Sequence, residues 1–234
     1  MSSLAIVQAR MGSRRLPNKM MLWMNGKPLI GWIVERLSKL NEIDKVVFAI
    51  PETKHDDVLE YYLTQCGANI FRGSEDDLVD RYYRASQIYG AHEIVRVCAD
   101  NPFILASEID RLAIKFRISG ADYGYNHIPR NNLYPNGVGG EICTFETLER
   151  RHSASLSHTQ KEHLFNYVWD NESIFDIMTI DPLEKFYHRP DIRLDIDTNQ
   201  DYLRLLSLGL KSDVSWYDLI ISYDEHFGNE TRHL

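Results

Sequence analysis

Residues 4–19 read LAIVQARMGSRRLPNK. The apolar run Leu4-Ala5-Ile6-Val7 has the pattern of a buried strand, and the ten residues from Arg10 to Lys19 form a loop with four cations, Arg10, Arg14, Arg15 and Lys19. Pro28 then opens an amphipathic helix. A strand, a cationic loop containing glycine, and a helix together make a place to hold several phosphates at once. Gly12 lets backbone approach a ligand closely, and Ser13 offers a hydroxyl and an N–H. Positions 1–34 contain no acidic residue, although the whole chain has 34 Asp and Glu against 26 Lys and Arg. The loop lacks the G-x-x-x-x-G-K-[ST] spacing of a Walker loop, and no G-x-G-x-x-G follows the first strand. The bland reading is a solvated basic turn. The acid-free flank and the position after the first strand favour phosphate binding.

Outward from this loop, short β-branched runs alternate with longer helical patterns. Strands are predicted over residues 4–9, 45–50, 69–71 and 93–98. Helices are predicted over 28–40, 56–66, 76–89 and 107–118, with Ser107 as an N-cap and Gly67 and Gly90 as stops. This order predicts an α/β fold, a mostly parallel sheet with helices on both faces. Ligands gather at the carboxyl ends of such strands, where the cationic loop and Asp100 both fall. After about residue 120 the alternation loosens. Residues 124–140, rich in Gly, Asn, Pro and Tyr, read as a long functional loop or hairpin arm. Helical patterns return at 147–152 and 161–170, strands at 175–180 and 192–196, and closing helices at 199–208 and 216–226, followed by a frayed polar end.

The bulk numbers set outer limits. A chain of 234 residues, 44% hydrophobic, fits one large α/β domain or one with an insertion. A net charge of −8 argues against a general nucleic-acid binder, but not against a small anionic ligand at a local basic site. No apolar run approaches the roughly 20 residues of a membrane span, and the N-terminus lacks a signal-peptide pattern. Cys66, Cys98 and Cys143 are odd in number and far apart, so a reducing cytoplasm is the expected setting.

Further segments carry candidate chemistry. In Arg96-Val97-Cys98-Ala99-Asp100-Asn101-Pro102, an aspartate leaves a buried strand and enters a turn, a good position for a divalent cation. An Asx-turn is the plain alternative. In Arg193-Leu194-Asp195-Ile196-Asp197-Thr198, Asp195 and Asp197 would share one face of a strand, and paired carboxylates repel unless a cation sits between them. Asp197 or Thr198 also suits a helix cap, with Asp201 completing a capping-box variant. Gly73-Ser74-Glu75-Asp76-Asp77 precedes a helix and could contact a base or ribose, or simply favour the helix dipole. His163, in Lys161-Glu162-His163, is a weaker candidate, since a lone histidine is more often structural.

Residues 6–19 (IVQARMGSRRLPNK) with Gly26-Lys27-Pro28-Leu29 resemble the opening of the sugar-activating cytidylyltransferases, which include the CMP-sialic acid and CMP-KDO synthetases. The resemblance is nearest to the branch named after the spore coat polysaccharide biosynthesis protein F. Phe71 to Asp77, Asp80-Arg81-Tyr82, Arg96 with Asp100 and Pro102, Pro135-x-Gly137 leading to Glu141, and Glu162-His163 extend it over most of the chain. It implies a nucleotide-diphospho-sugar transferase-like fold, CTP and Mg²⁺ as nucleotide and cofactor, and a homodimer. One domain over 1–234 is then expected, with a sugar-binding or dimerisation arm inside residues 123–190. By position, Arg10, Gly12, Ser13, Arg15, Lys19, Arg72 and Ser74 would contact the nucleotide. Lys19, Arg15 and Asp100 would be catalytic, and Asp100, Asp195 and Asp197 would hold the metal. Arg96, Glu141, Glu162 and His163 would bind the sugar. Met11 stands where the sialic-acid branch has glycine, and Asn199-Gln200 replace the usual proline–acid pair.

The expected reaction joins CMP from CTP to a sugar acid, with release of pyrophosphate. A sugar acid needs a cation of its own, and Arg96, Arg130, Lys161 and Arg189 are the candidates. The rival readings are a glycosyltransferase that consumes a nucleotide sugar and a protein that binds nucleotide without turnover.

Overall fold

The structure is a computed structural model that describes residues 2–154, 161 and 164–228. Its centre is a seven-stranded sheet in the order β5-β4-β1-β6-β8-β7-β9. The first four in space are β1 (Ser3–Gln8), β4 (Lys45–Pro51), β5 (Asn69–Gly73) and β6 (Glu93–Cys98), all parallel to one another. Between β1 and β4 a two-stranded hairpin forms from β2 (Trp23–Met24) and β3 (Lys27–Pro28). The apolar register of β1 explains its central place. Ala5 and Val7 face one core and Leu4 and Ile6 the other, all at 1% exposure or less. Burying the Leu4, Ile6 and Val7 side chains contributes about 1.5–3 kcal/mol each.

Helices cover both faces. α1 (Leu29–Leu37) places Trp32 and Ile33 in one core, α2 (Asp57–Gln65) adds Leu59 and Leu63, and α4 (Ala106–Ser119) adds Ile109 and Leu112. α3 (Leu78–Ile88) lies on the other face, where the Tyr82 hydroxyl donates to the Ile6 carbonyl at 3.0 Å. Asp77 caps α3 by accepting from the Asp80 N–H at 2.9 Å. Gly67 and Gly90 follow their helices at φ of 70° and 62°, left-handed values that favour glycine. α4 starts at Ala106, so Leu105 and not Ser107 stands at its N-cap position, where the Leu105 N–H is held by the Val138 carbonyl at 2.7 Å.

The second half of the chain joins the same sheet. β7 (Tyr123–Tyr125) and β8 (Glu141–Thr144) pair antiparallel, and β8 also runs antiparallel to β6. The segment from 124 to 140 is therefore bounded by two sheet strands. β9 (Ile177–Thr179) lies parallel to β7, shorter than the expected strand at 175–180. α5 (Phe145–Ser153) and α6 (Asn166–Asp170) follow β8. Residues 192–196 are not a strand of the sheet. They run beside Asn136 through a single parallel bridge, because Asn136 bonds to both Ile192 and Leu194 at 2.9 Å. α7 (Asn199–Ser207) opens with a capping box between Thr198 and Asp201, and α8 (Trp216–Phe227) closes the described chain. Among the described residues no helix is long and apolar enough to cross a membrane.

Candidate active site

The loop after β1 turns around Met11. Its side chain is 4% exposed and anchored in the core, and its N–H donates to Asp56 at 2.8 Å. The Met11 carbonyl accepts from both Ser13 N–H (2.8 Å) and Asn18 N–H (3.2 Å). This pins the two ends of the loop together. The Ser13 hydroxyl accepts from the Leu16 N–H at 3.3 Å, so it also braces the turn. Arg10, Gly12, Arg14 and Arg15 are exposed on the rim.

Lys19 points inward. Its Nζ donates to Asp100 Oδ2 and to the Ile196 carbonyl, both at 2.9 Å, and lies 3.7 Å from Asp197 Oδ1. Arg15 reaches the same Asp197 oxygen at 2.9 Å. The backbone closes this arrangement, since the Ile196 N–H donates to the Asp100 carbonyl at 2.9 Å. Three chain segments distant in sequence thus meet at the carboxyl ends of β1 and β6. Asp195 and Asp197 do share a face, and the cation between them is Arg193. It grips Asp195 with two bonds of 2.7 Å and touches Asp197 at 3.3 Å. Gly137 passes close by at φ 96°, where a Cβ would lie 3.1 Å from the Asp195 nitrogen.

Mg²⁺ is typically held by one or two carboxylates plus substrate phosphates, not by an all-protein cage. Asp100 and Asp197, both focused on the Lys19 ammonium, match that donor set. No group of three or more His, Cys, Asp or Glu side chains arranged for a metal occurs among the described residues. Asp195 is held at both oxygens by Arg193.

The other expected residues separate into groups. Arg72 is drawn to α2 and the turn before it, where it pairs with Asp57 at 2.8 Å, with Glu60, and with the Thr53 carbonyl at 2.6 Å. Ser74 stays with its own turn, where its hydroxyl accepts from the Asp77 N–H at 3.0 Å. Beneath that turn lies Arg81, which the sequence did not single out as a ligand contact. It donates to the Ser74 carbonyl at 3.1 Å, and burial pushes its pKa down to about 10. Glu75 lies beside Gly12, since a Cβ there would stand 3.9 Å from its Oε1.

Arg96 and Glu141 face each other across β6 and β8 as a buried ion pair, and Arg96 Nε also donates to Gln8 at 2.9 Å. Tyr123 donates to Glu141 at 2.5 Å, and His127 Nε2 lies 3.6 Å from it. Burial pushes the Glu141 carboxyl up, but Arg96, His127 and Tyr123 outweigh it and hold the pKa below its ordinary value. Sequence reasoning missed Gln8, Tyr123, His127 and Arg193. A Gln at the end of the first strand was a faint signal, and His127 left none. The remaining candidate cations for a sugar carboxylate are also paired. Arg130 meets Glu172 at 2.7 Å, Lys161 meets Asp77 at 3.0 Å, and Arg189 meets Asp191 and Asp224. Glu162 and His163 lie outside the described residues.

A cationic loop after the first strand, opposed by carboxylates at the end of a neighbouring strand on a mostly parallel sheet, defines a nucleotidyltransferase of the nucleotide-diphospho-sugar transferase fold. The cytidylyltransferase profile matches residues 4–223. The chain belongs to this family, and it is a CTP-dependent nucleotidyltransferase. It is 30% identical over 226 residues to the spore coat polysaccharide biosynthesis protein SpsF of Bacillus subtilis, covering 93% of this chain and 92% of that protein. A cytidylyltransferase structure from Leptospira borgpetersenii superposes with a TM-score of 0.89 at 29% identity, covering 97% of this chain and 96% of that one. A CMP:2-keto-3-deoxy-manno-octonic acid synthetase complexed with CTP superposes with a TM-score of 0.66 at 17% identity, covering 89% of this chain and 98% of that one. The last likeness concerns the fold.

Proposed function

We propose that the protein transfers CMP from CTP to a hydroxyl of a sugar acid, releases pyrophosphate, and supplies an activated sugar for surface polysaccharide or glycan synthesis. The observation that carries this reading is the Lys19 ammonium bridging Asp100 and Asp197 beneath the cationic loop. The CTP-bound octonic acid synthetase of the same fold supports it. The loop of Arg10, Arg15 and Lys19 offers more positive charge than a nucleotide diphosphate sugar needs, which favours a triphosphate over the donor of a glycosyltransferase.

In the reaction, the sugar hydroxyl attacks the α-phosphorus in line, and the bond to the β-phosphate oxygen breaks. Arg15 and Lys19 neutralise charge on the departing pyrophosphate. The Met11-centred turn and the Ile196–Asp100 backbone bond keep the cationic and anionic halves in register, so the protein contributes mainly positioning. Asp100 and Asp197 would hold Mg²⁺, which when bound would polarise the α-phosphate and acidify the attacking hydroxyl. Asp195 orients Arg193 beside Asp197. The sugar lies over β8 and β7, on the far side of Asp100 from β1, β4 and β5. A homodimer through residues 123–190 is part of the same reading.

The test is pyrophosphate release from CTP and Mg²⁺ with a panel of sialic, legionaminic, pseudaminic and octulosonic acids. Turnover with one or more of them is expected. Tight CTP binding with no release from any panel member would instead favour the binding-only reading.

A further inference from the structure

We infer that His127 is an acceptor-binding residue whose imidazole accepts a hydrogen bond from a hydroxyl of the incoming sugar. The inference rests on the proposed cytidylyl transfer and adds a residue to its sugar side. His127 stands two positions beyond the end of β7, at the carboxyl edge of the sheet. The phosphate loop and the 73–77 turn lie over β1, β4 and β5, and Asp100 follows β6. What remains for the second substrate is the region over β8 and β7, where His127 and Glu141 are the neighbouring polar groups.

The ring is held by its surroundings but not satisfied by them. Its backbone carbonyl accepts from the Gly137 N–H at 2.9 Å, and its ring meets Tyr125 edge-on at 6.3 Å. Nε2 lies 3.6 Å from Glu141, beyond hydrogen-bond length. Nδ1 is buried and has no hydrogen-bond partner among the described residues. A buried nitrogen left unbonded costs free energy, so such an atom calls for a ligand or water to complete it. The side chain as a whole is 16% exposed, so its surroundings leave it partly open. The charged groups around the ring are Glu141 on β8, Arg96 on β6 and Asp100 in the turn after β6. Burial outweighs the two carboxylates and lowers the imidazole pKa, which favours the neutral ring with a lone pair on one nitrogen.

The test compares His127→Ala and His127→Asn with the wild type, using each sugar acid of the panel that releases pyrophosphate. His127→Ala should raise KM for the sugar about tenfold and leave KM for CTP within about twofold. His127→Asn, which keeps a polar group near the Nδ1 position, should recover most of the loss. In wild-type protein labelled with ¹⁵N-histidine, adding the sugar to the CTP complex should shift the His127 ring nitrogens. An unchanged sugar KM in His127→Ala, equal increases of both KM values with a lowered Tm, or unmoved ring resonances would each overturn the inference while leaving cytidylyl transfer intact. A wild type that releases no pyrophosphate with any panel member overturns the proposed function and this inference with it.

Discussion

Lys19 Nζ lies 2.9 Å from Asp100 Oδ2, although 81 positions separate the two residues. One side chain comes from the cationic loop after β1 and the other from the turn after β6. Their meeting brings the loop and the carboxylates of the candidate site together.

Lys19→Ala and Asp100→Ala should each lower the rate of pyrophosphate release by about 10²–10³, the usual effect of deleting one preorganised phosphate or charge contact. Circular dichroism should show both variants folded, because neither side chain belongs to the apolar core. Near-normal turnover in Asp100→Ala would remove it from the metal site.

The two aspartates after Arg193 should behave differently. Asp197 is shared by Arg15, Lys19 and Arg193, whereas Asp195 is gripped by Arg193 alone. Asp197→Asn should cost about 10² in turnover and weaken Mn²⁺ binding measured by calorimetry, and Asp195→Asn should cost less than about tenfold with Mn²⁺ affinity kept. Equal losses of Mn²⁺ affinity would make Asp195 a ligand too.

Glu141 predicts a pH dependence of stability. Its folded pKa lies below the ordinary 4.5 of the unfolded chain, so its ionised form favours folding above that pH, and the benefit fades as pH falls through the folded value. Glu141→Gln leaves Arg96 buried without its carboxylate and should cost about 3–5 kcal/mol at pH 7. The Tm gap between wild type and variant should narrow below about pH 4.5. A gap that stays constant from pH 7 to pH 3 would contradict the ion-pair account.

Gly139→Ala tests the packing of Gly139 against Asn126 within the 124–140 segment. An added Cβ would overlap both the side-chain and main-chain oxygens of Asn126, whose side chain also accepts from the Gly140 N–H at 3.0 Å. The expected cost is about 1–3 kcal/mol, with Tm falling by about 2–4 °C per kcal/mol. An unchanged Tm would mean that this loop is free to shift.

Much of the first half was legible because local rules govern it. The apolar runs of β1, β4 and β6 and the glycine stops after α2 and α3 are all decided by neighbours within a few residues, as is, later in the chain, the Thr198–Asp201 capping box. The second half was less legible. β8 is four residues long and enters between β6 and β7, so its partners are distant and its own pattern is weak. Residues 192–196 carry an alternating pattern, yet their main-chain groups are claimed by Asn136 and Asp100, not by a sheet neighbour.

The amino-acid order alone determined the alternation of strand and helix, the acid-free cationic loop, and the placement of aspartates at turns, because hydrophobic period and turn chemistry act over short spans. Only the tertiary structure decided which charges meet. It sent Lys19 to Asp100 and Asp197, spent Arg72 on Asp57 and Glu60, buried Arg96 against Glu141, and left His127 Nδ1 unbonded. Such choices depend on strand order and on the balance between desolvation and pairing, and neither quantity is local to any stretch of the chain.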